Sequence, residues 1–165
     1  MSGWKKSSRN AAPVFGAKRP NVGEAMKKLK LVARDVDDMK VLSACLQDSV
    51  MKVADMAHLS QARRFVLMVN RYCWENDTQP MRARAGLQFI GVDKVQLKHI
   101  NQQRGDGVLS VLAVEFVEAD APAGAISIIF SGGGEIRLAV EACEAILEDV
   151  SDAWLARSKP AHEID

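Results

Sequence analysis

Apolar and polar residues alternate through much of the C-terminal half of the chain. Between residues 108 and 140, three short apolar runs are separated by the loop Asp120–Gly124 and the triplet Gly132–Gly134. In the last run, Ile136, Leu138 and Val140 alternate with charged or small residues. Because side chains on a strand point alternately to its two faces, this pattern predicts an antiparallel meander of three strands.

The glycine triplet has two interpretations. Three glycines permit the positive φ angles of a tight hairpin, and glycine-rich loops also bind phosphate. Phosphate loops lead from a strand into a helix and carry Lys followed by Ser or Thr. Here the triplet leads into the alternating residues 135–140, so we predict a hairpin turn.

The first part of the chain predicts further strands and one helix. Strands are expected at 29–34, 50–58, 65–74, 84–89 and 94–99, with a bulge or break at Gly91. Asp35 has the side chain of a helix N-cap, and the apolar residues after it recur at helical spacing. A helix is therefore expected over Val36–Gln47, with its apolar stripe on the sheet.

A second helix is expected near the C-terminus. The apolar residues there recur at i, i+3, i+4, i+7 and i+11, which is a helical stripe: Cys143, Ile146, Leu147, Val150 and Trp154. We predict a helix from about Cys143 to Ala156, followed by a tail from residue 159.

These elements predict an α+β fold, mainly an antiparallel β-sheet of about seven to eight strands with one early helix and one C-terminal helix. The order of elements resembles a pleckstrin-homology-like sandwich, and an open barrel is the alternative. The predicted domain occupies residues 28–158, with a disordered basic extension at 1–27 and a tail at 159–165. The extension has the composition of a transit peptide or a nucleic-acid arm, and Met26 is an alternative start of the protein.

Composition and charge narrow the classes of function. No apolar run among the 165 residues approaches the roughly 20 needed to span a bilayer. Cys45, Cys73 and Cys143 lie far apart without a CxxC motif, which favours a reduced cytoplasm and argues against a zinc site. Residues 60–105 carry eight basic and three acidic groups, whereas residues 106–165 carry three and twelve. This asymmetry suggests a protein partner or head-to-tail self-association.

No catalytic or metal-binding signature is evident. His58, His99 and His162 are scattered, and Cys73 has no identifiable acid–base partner in the sequence. The acidic cluster at residues 115–120 has the oxygen ligands of a divalent-cation site but is better explained as a solvated strand end. We therefore predict no metal and no cofactor.

An arginine-rich strand pair is the strongest candidate ligand site. It comprises Arg63, Arg64, Asn70, Arg71, Tyr72, Trp74, Arg82 and Arg84. Guanidinium groups bind phosphate or carboxylate through two donors, and Tyr or Trp stacks on a base. The alternative is that the arginines form a solvated edge or pair with the acidic C-terminal segment. Strand alternation also places Arg71 and Trp74 on opposite faces.

Several phrases resemble a bacterial family known only as a domain of unknown function (DUF 2948). They include LKLVARD at Leu29–Asp35, VNRYCWE at Val69–Glu75, RARAGLQF at Arg82–Phe89 and PAGAISIIFSGGGEIRL at Pro122–Leu138. The resemblance implies a compact bacterial cytoplasmic protein, but it transfers no reaction, ligand or functional residue.

The function predicted from the sequence is a non-enzymatic binding or protein-interaction module. The alternative is binding of, or catalysis on, a small phosphate- or nucleotide-like anion by Asn70, Arg71, Tyr72, Trp74, Arg82 and Arg84. Nucleic-acid binding is disfavoured because residues 29–165 hold 15 basic and 20 acidic groups.

Overall fold

A computed structural model of the protein describes residues 27–157 and 160. This part of the chain contains one α-helix, α1 (Val36–Leu46), and eleven strands. The strands are β1 Lys30–Ala33, β2 Val50–Lys52, β3 Met56–Leu59, β4 Arg64–Tyr72, β5 Met81–Ile90, β6 Val92–Lys98, β7 Val108–Glu118, β8 Gly124–Phe130, β9 Glu135–Val140, β10 Ala145–Asp149 and β11 Trp154–Leu155.

The strands form a long antiparallel sheet that does not close. Its order is β1-β10-β5-β4-β2-β7-β8-β9-β6, while β3 also pairs with β4 and β11 with β5. Alternate side chains of β4 and β5 point into the core, so that Phe65, Leu67, Leu87 and Phe89 are buried. This confirms the predicted antiparallel α+β class.

The predicted meander is confirmed. β7 pairs with β8 and β8 pairs with β9, and Ile126 and Ile128 of β8 are fully buried. The glycine triplet forms the tight connection between β8 and β9, where Gly132 and Gly133 have φ angles of 85° and 97°. Because these angles favour glycine over residues with a Cβ atom, the triplet is a hairpin turn, as expected.

Helix α1 covers part of the sheet interior. Its N-cap is Asp35, whose Oδ1 accepts a hydrogen bond from the amide of Asp38 at 2.7 Å. Met39, Leu42 and Leu46 are buried and belong to the main core cluster. The helix contacts β7 most extensively and also contacts β1 and β4. The predicted helix and its apolar stripe are therefore confirmed.

Two predicted strands have different bounds. The segment expected as one strand over 50–58 is divided by a 3₁₀ turn at Val53–Asp55. The division arises because β2 pairs with both β4 and β7, whereas β3 continues along β4 alone. In contrast, β5 extends beyond the predicted 84–89, and Gly91, with a φ angle of 73°, separates it from β6.

The predicted C-terminal helix over Cys143–Ala156 is wrong. The segment forms β10, which lies between β1 and β5, and then the short β11. Ala145, Leu147 and Asp149 are buried at alternate positions, which is the period of a strand. The apolar spacing also fits a helix, but pairing with β5 on one edge and with β1 on the other, both more than 50 residues earlier, satisfies the backbone of β10.

The prediction of seven to eight strands is also wrong, since residues 27–157 already form eleven. A pleckstrin-homology-like sandwich ends in a helix, and the described residues contain none after β10. The unclosed sheet agrees with the open-barrel alternative. The predicted extension at 1–27 and tail at 159–165 lie outside the described residues, apart from Lys27 and Pro160. Within the described part, no helix combines the length and apolar composition required to cross a bilayer.

Candidate functional site

Six of the eight residues in the predicted arginine-rich set lie on the paired strands β4 and β5, with Arg63 before β4 and Trp74 after it, but the six do not share one face. In the antiparallel register of β4 and β5, Asn70 is opposite Arg84 and Tyr72 is opposite Arg82. On the opposite face of the strand pair from Arg71, Asn70, Arg82 and Arg84 are half-buried and Tyr72 is 3% exposed, whereas Arg71 points into the core and is 1% exposed. The structure therefore separates Arg71 from the other predicted ligand residues.

Arg71 is the centre of a buried ion-pair network. Its Nε and Nη2 donate to the two carboxylate oxygens of Asp149, at 2.7 and 2.8 Å. Its Nη1 and Nη2 also donate to Glu75, at 3.0 and 2.6 Å. The second oxygen of Asp149 accepts the amide of Leu29 at 2.8 Å. One guanidinium group thus joins β4, the end of β10 and the segment that precedes β1.

The protonation of this network follows from its geometry. Burial alone lowers the pKa of the Arg71 guanidinium, but hydrogen bonds to Asp149 and Glu75 outweigh burial and raise the pKa overall. Burial also acts to raise the pKa of Glu75, yet the hydrogen bond from Arg71, a backbone hydrogen bond and the Arg71 charge together lower it overall. Arg71 is therefore a permanent charge whose donors are directed to carboxylates inside the protein.

The members on the face opposite Arg71 form a separate cluster around the buried Tyr72. The ring of Tyr72 contacts Trp74 edge-on, with centroids 4.6 Å apart, and the Arg82 guanidinium lies 5.6 Å from the Tyr72 centroid. Nη1 of Arg82 donates to the carbonyls of Asp48 and Asn70, at 3.1 and 3.0 Å. Burial lowers the pKa of the Arg82 guanidinium. The cluster holds the β4–β5 hairpin against the end of α1.

Arg84 and Trp74 are also bonded within the protein. Arg84 donates to Asn70 Oδ1 at 3.1 Å and forms a half-exposed ion pair of 3.4 Å with Asp55. The indole Nε1 of Trp74 donates to the carbonyl of Gln47 at 2.9 Å. An anion that approached Arg82 or Arg84 would have to compete with these contacts. These internal hydrogen bonds indicate that Arg82 and Arg84 have a structural role.

The thiols lie in environments that suppress their reactivity. Burial raises the pKa of the Cys73 thiol and of the Cys143 thiol to about 11 in each case. Burial also raises the pKa of Cys45. Since the thiolate is the nucleophile, these side chains are protonated at neutral pH. Within the described residues, no three His, Cys, Asp or Glu side chains are grouped as a metal site.

A feature that the sequence analysis missed lies between α1 and β7. A groove of about 350 Å³ is lined by Val36, Met39, Lys40 and Ser43 of the helix and by residues 113–117 of the strand. Strand β7 carries apolar residues on both faces and lies between β2 and β8. Its register shifts between Val111 and Ala113, so that Leu112 and Val117 both lie on the outer face, where they are 42% and 65% exposed. The sequence signal for this surface was the presence of apolar residues on both faces of β7, where an exposed strand face normally carries polar residues.

Comparison with known proteins identifies the family. A family described as a protein of unknown function, DUF2948, matches residues 29–162. The chain belongs to the DUF2948 family. All the strands and the helix described above lie within the region that DUF2948 covers.

Neither the comparison with curated proteins nor that with solved structures gives a significant match. Membership of DUF2948 supplies no reaction and no ligand, so the function of the chain is unknown.

Proposed function

We propose that this DUF2948 domain is a non-catalytic, protein-binding module of the cytoplasm. The observation that carries the proposal is the exposed apolar surface of β7. Val108, Leu112 and Val117 are 68%, 42% and 65% exposed along a strand whose other face packs on the core. Several exposed aliphatic side chains along one face of a strand are the kind of feature that marks a surface for binding other proteins.

The internal bonding of the arginines supports the same proposal. Arg71 is committed to Asp149 and Glu75, and Arg82 and Arg84 donate to protein carbonyl, amide or carboxylate oxygens. The raised pKa values of Cys73 and Cys143 also disfavour thiol nucleophiles. Together these features favour binding over catalysis.

The second candidate is binding of a small anion by the cluster around Tyr72. It is favoured by the proximity of Arg82, Arg84, Asn70 and Tyr72 on one face. A phosphorylated metabolite or nucleotide bound there would stabilise the fold. We expect no stabilisation in a thermal-shift screen against such compounds, and stabilisation abolished by Arg84→Gln would favour this candidate instead.

Site-specific photo-crosslinking in the native host tests the protein-binding proposal. A photoreactive phenylalanine analogue replaces Leu112 on the outer face of β7, or Arg137, which is exposed on β9. We expect a discrete crosslinked protein at position 112 and none at position 137. Absence of a discrete product at position 112, or the same products at both positions, would reject β7 as a binding surface.

A further inference from the structure

The β7 strand has an unpaired edge. It pairs with β2 only through residues 108–110, whereas it pairs with β8 through residues 111–118. No strand of the described residues pairs with the β2-facing side of β7 beyond Val111. An unpaired edge presents backbone donors and acceptors that a further strand can use.

Two hydrogen bonds establish which backbone groups face that edge. The Val111 amide donates to the carbonyl of Ser49 at 2.8 Å, and the Val114 amide donates to Ser43 Oγ at 2.9 Å. The register of β7 shifts between Val111 and Ala113, and beyond this shift the backbone direction alternates, so Phe116 and Glu118 present their amides and carbonyls to the same side as Val114. The backbone groups of Phe116 and Glu118 therefore form a short unpaired edge just beyond the contact between Val114 and Ser43.

Helix α1 forms one wall beside this edge. Val36, Met39 and Lys40 line the groove opposite residues 113–117, and Val36 is 43% exposed. A strand added to β7 would direct alternate side chains towards Val36 and the half-buried Phe116. Those positions favour apolar residues.

The charges around the groove indicate which residues are favoured at the other positions of an added strand. Glu115 lines it, Glu118 and Asp120 are exposed at the adjoining hairpin, and Asp37 lies in the first turn of α1. Lys40 is the one basic side chain in the lining. Because opposite charges favour cross-strand neighbours, a strand beside β7 is stabilised by a basic residue across from Glu115.

We propose that the edge of β7 from Val114 to Glu118 binds an extended peptide segment of a partner protein by strand addition, with α1 as the second wall of the site. The segment alternates apolar residues, directed into the groove, with basic residues beside Glu115. The inference rests on the proposed protein-binding function and specifies its site and the class of partner. Main-chain hydrogen bonds supply affinity in this mode, and alternate side chains supply specificity.

Titration of the full chain with a short blocked peptide that alternates valine and lysine tests the proposal. Binding should shift the backbone NMR signals of Val114, Phe116 and Glu118. Replacing the peptide lysines by glutamate should weaken binding at least about tenfold, and N-methylation of alternate peptide amides should abolish it. If the valine–lysine peptide does not bind, or shifts signals elsewhere, the proposal is overturned.

A pair of variants on one helix separates the groove from the general surface. Val36→Lys places a positive charge in the groove and should weaken binding at least about tenfold. Val41→Lys is the matched control, because Val41 is 52% exposed and does not line the groove; it should change binding by less than about twofold. Equal effects of the two variants would overturn the proposal.

Amide hydrogen exchange of the full chain alone identifies competing occupants. We expect the amides of Phe116 and Glu118 to exchange rapidly at all protein concentrations. Protection that increases with concentration would show that a second copy occupies the edge. Protection independent of concentration would show occupation by another segment of the chain, such as the basic residues 1–28. Either result would overturn the proposal.

The crosslinking experiment at position 112 shows whether only strand addition fails or whether the protein-binding function fails as well. A specific crosslinked partner without peptide binding at Val114–Glu118 would leave the protein-binding function standing and reject strand addition. Failure of both experiments would reject both proposals.

Discussion

Arg71 and Asp149 form a two-point ion pair in the interior, with side chains 1% and 3% exposed. They lie 78 residues apart in sequence, and their contact ties the end of β10 to β4. Removal of one partner from such a pair leaves an uncompensated buried charge, which is strongly destabilising. The pair therefore anchors the C-terminal strands to the centre of the sheet.

The first prediction concerns this pair. Asp149→Asn should lower the free energy of unfolding by about 3 kcal/mol, because the Arg71 charge loses its most buried partner. Urea denaturation measures the loss. Asp152→Asn is the control, since the Asp152 side chain is 81% exposed, and it should change the free energy by less than about 0.5 kcal/mol. Similar losses in the two variants would contradict a central role for the pair.

The second prediction concerns the dependence of stability on pH. Burial acts to raise the Glu75 pKa, but the hydrogen bond from Arg71, a backbone hydrogen bond and the Arg71 charge together lower it below its ordinary value of 4.5. A carboxyl whose pKa is lower in the folded state stabilises the fold above its ordinary pKa, and this contribution is lost as pH falls through the folded value.

The difference in Tm between the wild type and Glu75→Gln should therefore be constant near neutral pH and shrink below about pH 4.5. Thermal unfolding followed by circular dichroism measures it. Asp77→Asn, in the same exposed loop, serves as the control. A difference between wild type and Glu75→Gln that grows in acid would have the wrong sign for the Arg71 contact.

The third prediction concerns the thiols. A pKa raised from 9.0 to about 11 leaves Cys73 and Cys143 with about a hundredfold less thiolate than an ordinary cysteine. Alkylation of both residues should be at least about a hundredfold slower in the folded protein than in urea. Mass spectrometry of the iodoacetamide-labelled peptides measures each rate. Labelling of folded Cys73 at the unfolded rate would restore it as a candidate nucleophile.

The fourth prediction concerns the contact between α1 and the edge of β7. Ser43→Ala removes the acceptor for the Val114 amide and should lower the free energy of unfolding by about 1 kcal/mol. It should also accelerate hydrogen exchange of that amide. Ser60→Ala, at an exposed turn, should change stability by less than about 0.5 kcal/mol. Unchanged exchange at Val114 would show that Ser43 does not protect this edge.

Local patterns were sufficient to predict many of the elements. The alternation of Ile136, Leu138 and Val140 predicts β9, and Asp35 before a helical stripe predicts α1. Each of these signals depends on neighbouring residues, whose periodicity reflects the geometry of the backbone. The glycine triplet belongs to the same class, because its positive φ angles are a local requirement.

The candidate site was less predictable. The sequence placed Asn70, Tyr72, Arg82 and Arg84 on paired strands and separated Arg71 from Trp74 by strand alternation. It did not reveal that Arg71 faces Asp149, because this partner lies on a strand that the spacing of Ile146 and Leu147 had suggested was a helix. An ion pair between distant segments has no local signature.

The amino-acid order thus specified the strands of the central meander, the first helix and the faces that each presents. Only tertiary pairing determined that residues 145–149 form a strand, since their apolar spacing satisfies both periods and the backbone partners of β10 lie in β1 and β5. Tertiary structure likewise left the edge of β7 beyond Val111 unpaired beside α1. Both outcomes depend on hydrogen bonds and burial between distant segments, which short-range periodicity does not encode.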